Sequence, residues 1–402
     1  MPAYLQELRA QWRPLLAAII GLSSGYSITN YITSIMAPHL LREFGWSKAD
    51  FAAVGSLTLV CVLVFPFIGR LTDVVGVKRT AFIGVVACPL GYGLLSRMNG
   101  DIRVYIALFV AMGLICITTT ATVYSRAVVQ HVVHARGVAL AIVASGPAAM
   151  GVVAAPLLNQ YVEANGWRSG YMLVAVVSAL LGGLALLLMP SERHPAGTDK
   201  PKRSARKDYP VIFSSRAFWI LAGAMLFCNL PQIIALSQLN LVLLDKGIET
   251  GSIAVMISAF ASGTLAGRFA CGLALDRLPA HLVAFVAMAL SSVGLFLMAS
   301  SLSSPMIVAM SVVMIGLTFG AEGDLISFLV ARAFGVQVYS SVMGMMTAII
   351  AGAASLGAIM LSFILRGGGS FAPFLALCGV TVLLGAVLLL FMPNRPVEVA
   401  AG

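Results

Sequence analysis

Apolar residues in this chain gather in blocks close to twenty long, set apart by short polar connections, and that spacing restricts the fold more than any other feature. The blocks lie at 15–38, 50–72, 80–97, 103–126, 137–160, 168–190, 217–244, 251–275, 281–300, 304–328, 340–365 and 371–392. A helix of about twenty residues crosses roughly 30 Å of hydrocarbon, whereas a barrel strand needs only about ten. Lipid offers no partners for backbone N–H and C=O groups, so blocks of this length have to be helices. Charged residues make up 10% of the chain and hydrophobic ones 60%, against roughly 25% charged in a soluble protein. The expectation is an all-α integral membrane protein with twelve transmembrane helices.

Residues 191–216 interrupt the series with Arg193, Lys200, Lys202, Arg203, Arg206, Lys207 and Arg216 among three prolines, which reads as a basic, flexible, water-exposed linker. It divides the chain into two six-helix halves, 1–190 and 217–402. With an even number of spans per half, both termini and the linker share one side. Most of the 25 lysines and arginines fall there, so the positive-inside rule makes that side cytoplasmic. No cleavable signal peptide is evident ahead of the first block. The net charge of +10 does not point to nucleic acid, because the basic residues sit in connections and form no face with interleaved aromatics. All six cysteines lie inside apolar blocks with no CxxC pair, and read as packing residues.

The two halves carry a repeat. Gly69 and Asp73 in GRLTD correspond to Gly272 and Asp276 in GLALD at a shift of 276 less 73, or 203 residues. The same shift carries Leu40-Leu41 onto Leu243-Leu244, Met112-Gly113-Leu114 onto Ile315-Gly316-Leu317, and Gly166 onto Gly369. A six-span unit duplicated in tandem accounts for this. Parallel halves of this kind hold their substrate near the membrane midplane, at the junction of the repeats.

Between the second and third blocks stands Gly69-Arg70-Leu71-Thr72-Asp73-Val74-Val75-Gly76-Val77-Lys78-Arg79, and the second half keeps Gly272, Asp276 and Arg277. This stretch resembles the loop signature of the major facilitator superfamily, close to G-x-L-x-D-x-x-G-x-[KR]-[KR]. The resemblance implies a gate hinge at these residues, with the aspartate able to pair with a cation or a helix N-terminus. Arg136-Gly137-Val138-Ala139-Leu140-Ala141-Ile142, leading through Gly146 to Gly151, and Gly166-Trp167-Arg168 are similar to the bacterial branch of monocarboxylate transporters and oxalate/formate antiporters.

Arg268 is the strongest candidate for a ligand contact. It stands inside the apolar run Ile253 to Leu275, where a cation costs about 2.5–3.5 kcal/mol on insertion scales and usually faces a cavity or path. It precedes Asp276 by eight residues, about 12 Å of helix. The repeat shift lands on Phe65, so the arginine is no part of the duplicated scaffold. Monocarboxylate transporters carry an arginine four residues before a glycine in the eighth span, as Arg268-Phe269-Ala270-Cys271-Gly272 does; the resemblance implies a substrate-carboxylate ligand. A guanidinium, permanently charged and forked, suits that task. The family often has an aspartate four residues earlier, where this chain has Thr264. The alternative for Arg268 is a structural ion pair with Glu322 or Asp324.

Glu322 and Asp324, in Gly320-Ala321-Glu322-Gly323-Asp324, are acids within the tenth span. Two residues apart, they point in different directions on a helix. One can carry a coupling proton while the other pairs with Arg126 or Arg268. Arg126, beside Tyr124 in the fourth span, either lines the cavity or snorkels to the interface. The first span offers Tyr26, Asn30 and Tyr31, and the seventh Asn229, Gln232 and Gln238 around Pro231; the superfamily resemblance implies that these spans face the central cavity. His39, His131 and His134 read as interfacial.

The expected function is alternating-access transport of a small organic monocarboxylate, by symport with protons, across the cytoplasmic membrane of a bacterium. The expected partners are the anion, protons and membrane lipid, with the proton gradient in place of any cofactor and the monomer as working unit. A single carboxylate is favoured because Ser340 to Leu365 has no lysine or arginine. A proton-driven exporter of drugs or metabolites and an organic anion exchanger are the rivals. An enzyme is not expected, since no HExxH, GxSxG or CxxC motif falls in a span.

Overall fold

The computed structural model describes residues 2–46, 62–190, 205–368 and 370–393, and among them every regular element is helical. The elements are α1 (Pro2–Ala10), α2 (Trp12–Ser24), α3 (Thr29–Phe44), α4 (Phe65–Val75), α5 (Val77–Leu95), α6 (Ile102–Cys116), α7 (Ala121–His131), α8 (Arg136–Leu188), α9 (Ala205–Ser214), α10 (Arg216–Asn229), α11 (Leu239–Asp245), α12 (Thr250–Leu275), α13 (Ala280–Ala299), α14 (Pro305–Phe334), α15 (Tyr339–Gly368) and α16 (Ala372–Leu390). Among the described residues seven helical stretches are long and apolar enough to cross a membrane, or up to nine when each bent pair counts as one span, so the chain is a multi-pass membrane protein. Each predicted block has a helix, although most of the second lies outside the described residues.

Contacts divide the chain into two compact units. The first comprises residues 1–135, 142–202 and 336–344; the second comprises 136–141, 203–335 and 345–402. Each therefore includes the first turns of a helix whose remainder belongs to the other.

In the first unit, two broken spans meet. α2 and α3 bend by 45° through a short 3-10 turn at Tyr26–Ile28. The fourth span breaks at Ile117–Thr119, where Thr118, Thr119 and Thr120 each donate to a carbonyl three residues back. Such back-bonding competes with the regular helix ladder. Thr119 Oγ1 also accepts from Tyr26 N at 2.9 Å, joining the breaks. α8 runs through the fifth and sixth spans without a loop; the turn between them is made at Gly166, whose φ of 82° is open to glycine at little cost. An aromatic group of Tyr92, Tyr105, Trp167 and Tyr171 fills the core beside α3.

In the second unit, α12 and α14 pack through paired small-residue motifs. Gly263 and Gly267 lie against the backbone of Val313 and Leu317, and Gly316 and Gly320 against that of Phe260 and Thr264. Each pair has the GxxxG spacing that lets helices in lipid approach closely. The seventh span is discontinuous: α10 ends at Asn229, and a π-helical turn at Ile234–Gln238 precedes α11. Pro231, which lacks an N–H, occupies the break.

One element differs from the sequence expectation, and one falls where none was expected. Residues 205–214 of the predicted flexible linker form α9, whose Ile212 is fully buried and whose Tyr209 and Phe213 stack; apolar side chains at helical spacing outweigh the basic composition there. The linker residues 191–204 lie outside the described set. The polar N-terminus forms α1, which docks through Glu7: its carboxylate accepts from Val133 N, His134 N and Ala135 N at 2.8–2.9 Å.

Candidate functional site

The glycine-lined approach of α12 to α14 places one cation against one acid. Gly320 sits on Thr264, so the residues one turn further along each helix, Arg268 and Asp324, face each other. Arg268 Nε and Asp324 Oδ2 are 3.6 Å apart, an ion pair wider than a hydrogen bond. The Asp324 side chain is 3% exposed, while that of Arg268 keeps 20%; only the arginine is open to a ligand. α12 continues for seven residues past Arg268, about two turns, so the pair lies well inside the span. Thr264, at the position on α12 where the resemblance implies an acid, donates to Phe260 O. The acid comes from α14 instead.

Glu322 points elsewhere, as its two-residue offset requires. It lines a small cavity of about 30 Å³ with Cys228, Asn229, Pro231, Gln232, Ser291 and Thr318. The amide of Asn229 reaches its carboxyl. Thus two of the predicted seventh-span polar residues gather around Glu322 and not around Arg268.

Arg126, in the fourth span, forms an ion pair. It is 6% exposed and pairs with Asp73 within the first unit, so neither Glu322 nor Asp324 is its partner in that pair. Asp73 also accepts from Ser340 N at 3.0 Å and Ser341 N at 2.6 Å, capping the start of α15. In the second unit Asp276 accepts from Gly137 N at 2.7 Å and Val138 N at 3.1 Å, capping α8. Ser340 and Ser341 stand 203 residues (340 less 137) after Gly137 and Val138, so both copies of the motif do the same job. A side chain at Gly69 would meet the Ser340 carbonyl, and one at Gly272 the Gly137 carbonyl. Around them, Gly76 has a φ of 95° at the turn into α5 and Lys78 donates to Met189 O at 3.3 Å. Arg70 is half-buried, and Arg79 and Arg277 are exposed.

The remaining candidates scatter. Tyr124 is fully buried with its ring against Gly21. Tyr26 is half-buried and Asn30 exposed. Tyr31 packs on Gly151 and lines a cavity of about 380 Å³ between α2, α3 and α8, together with Ser23, Tyr161 and aliphatic side chains. No charged residue lines that cavity, and its polar lining is made of hydroxyls. Sequence reasoning missed Glu7, Thr119 and Thr318.

Residues 17–358 match the family model described as Major Facilitator Superfamily. The chain belongs to that superfamily. Monocarboxylate transporter 11 of Homo sapiens is 24% identical over 394 residues, covering 94% of this chain and 81% of that protein. Its Mus musculus counterpart is 22% identical over 94% of this chain and 86% of its own length. The MFS-type transporter pytF of Aspergillus terreus is 24% identical over 58% of this chain and 78% of its own length. Among solved structures, a point variant of the E. coli fucose:proton symporter FucP matches with a TM-score of 0.74 at 13% identity, covering 95% of this chain and 98% of that one. FucP in the outward conformation gives 0.72 at 14% identity, with the same coverage. The fold is that of major facilitator transporters, and the chain is a secondary transporter working by alternating access, not an enzyme.

Proposed function

We propose that this transporter carries a small organic monocarboxylate together with a proton, and that the Arg268–Asp324 pair is where the two meet. The observation that carries this reading is the pair itself: a permanently charged guanidinium, partly open, held 3.6 Å from an almost fully buried carboxyl. A substrate carboxylate offers two oxygens to the guanidinium fork and competes with Asp324 for it. Asp324, deprived of its cation in a low-dielectric span, is costly as an anion and takes up a proton. Anion and proton thus load together. Returning Asp324 to Arg268 expels both, and the charge at the site is the same in the empty and loaded states. The aspartate that the resemblance led us to seek at position 264 is supplied from the neighbouring helix.

Support comes from the relatives named as monocarboxylate transporters over 94% of this chain, and from the lysine and arginine bias that argues for cytoplasmic termini. The cytoplasmic membrane of a bacterium, with the monomer as working unit, is part of the same reading. The test is Asp324→Asn in proteoliposomes. Exchange of labelled for unlabelled monocarboxylate should persist, while accumulation driven by an imposed proton gradient should disappear. An Asp324→Asn protein that still concentrates substrate against its gradient would rule out coupling through this residue.

A further inference from the structure

The cavity beside Glu322 has a chemistry of its own that the anion pair does not use. Glu322 Oε1 and Asn229 Oδ1 are buried without a hydrogen-bond partner among the described residues, although the two residues are only 9% and 1% exposed. Both atoms are acceptors. Asn229 Nδ2 donates to Met225 O at 2.9 Å and the amide also reaches the Glu322 carboxyl, which leaves its oxygen over. Thr318 lines the same cavity, and its hydroxyl proton is committed to Ala287 O at 2.6 Å. Toward any further partner Thr318 Oγ1 can therefore only accept. Gln232 and Ser291 add an amide and a hydroxyl. Oxygen ligands thus converge from three sources: the broken seventh span, α13 and α14.

The backbone points the same way. α10 stops at Asn229, Pro231 withholds an N–H, and a π-helical turn follows at Ile234–Gln238. Discontinuous spans of this type expose carbonyls that coordinate small cations in transporters, and π-turns recur at functional sites. Two buried acceptors without a hydrogen-bond partner among the described residues, beside a single carboxylate, suit a positive guest. One formal charge matches a monovalent ion; a divalent ion would look for more carboxylates. A void of about 30 Å³ admits an object the size of a water molecule.

We infer that Glu322, Asn229 and Thr318, with the break in the seventh span, form a binding site for a single monovalent cation of sodium's size. The titratable neighbour of Glu322 in this cavity is Cys228, and Asp324, two residues along the same helix, is paired with Arg268. The cation site therefore stands or falls apart from the anion site.

The test is thermal unfolding of the purified full chain in detergent, at fixed pH and ionic strength, as sodium chloride replaces choline chloride. A cation that binds only the folded state raises its unfolding temperature in a saturable way. Wild type should show that rise with sodium. Glu322→Gln and Asn229→Ala should lose it, and Arg268→Gln should keep it. If Glu322→Gln does not fold, Thr318→Val, which keeps the shape and removes one oxygen, should move the sodium titration to higher concentration. Identical unfolding in sodium and choline overturns the inference, as does a sodium response that survives in Glu322→Gln or is unmoved in Thr318→Val. Loss of the response in Arg268→Gln would put the ion at the wrong pair and overturn it too.

Discussion

Replacing Asp73 by alanine removes the carboxylate that faces Arg126 and that caps α15 through Ser340 N and Ser341 N. The Asp73 side chain is fully withdrawn from solvent and that of Arg126 is 8% exposed. Taking one partner from a buried ion pair costs about 3–5 kcal/mol, because the other charge stays buried without it. The helix-cap hydrogen bonds go with it; they depend on the same carboxylate, so the expected loss remains near 3–5 kcal/mol. Asp73→Asn keeps an oxygen for one of the two N–H groups and should cost less. Arg126→Met leaves Asp73 with both backbone donors and should also cost less than Asp73→Ala. Equilibrium unfolding in mixed detergent micelles measures all three. A cycle built from Asp73→Asn and Arg126→Met should then return a coupling of roughly 0.5–3 kcal/mol. Additivity within about 0.3–0.5 kcal/mol, or an Asp73→Ala protein as stable as wild type, would refute the reasoning.

Asp276→Ala removes the cap on Gly137 N and Val138 N, and loss of a cap costs about 0.5–2 kcal/mol, so stability should fall by at least that much in the same unfolding assay. Gly320→Val drives a side chain into the Thr264 carbonyl, for which overpacking costs of about 1–3 kcal/mol are usual; a lower unfolding temperature and weaker anion binding should appear together. Glu7 supplies a pH dependence. Burial alone would raise its pKa, but the N–H groups of Val133, Ala135 and His134 outweigh that and hold it below the usual carboxylate range. Its folded-state pKa is lowered, so the stability that it gives the α1 contact is present above the ordinary glutamate pKa of about 4.3. That stability is lost as pH falls through the folded value. Amide exchange at Val133–Ala135, corrected for the intrinsic effect of pH, should accelerate in that acid range, and Glu7→Gln should abolish the step.

The spans were legible because lipid leaves a twenty-residue apolar block only one conformation, and the two capping aspartates because glycine and aspartate recur at a fixed shift. That same shift also links Ser340-Ser341 to Gly137-Val138, so the capped helices were within reach of the sequence, although the resemblance alone did not name them. Arg268 stood out through composition. Its partner did not: Glu322 and Asp324 look equivalent in a one-dimensional string, and only the Gly320–Thr264 contact decides which faces the arginine. For Arg126 an ion pair was among the expectations, but its partner was hidden for a similar reason, because Asp73 lies 53 residues away in the string. α9 and α1 were hidden by their polar composition, where a few apolar or carboxylate contacts decide the structure against the average.

The central claim is that Arg268 holds the substrate's carboxylate. Uptake of labelled organic monocarboxylates into proteoliposomes tests it most directly, with wild type and Arg268→Gln reconstituted at equal density. Wild type should take up at least one such anion, and Arg268→Gln should take up none while still folding and keeping its sodium response. Wild-type rates in Arg268→Gln would contradict the account.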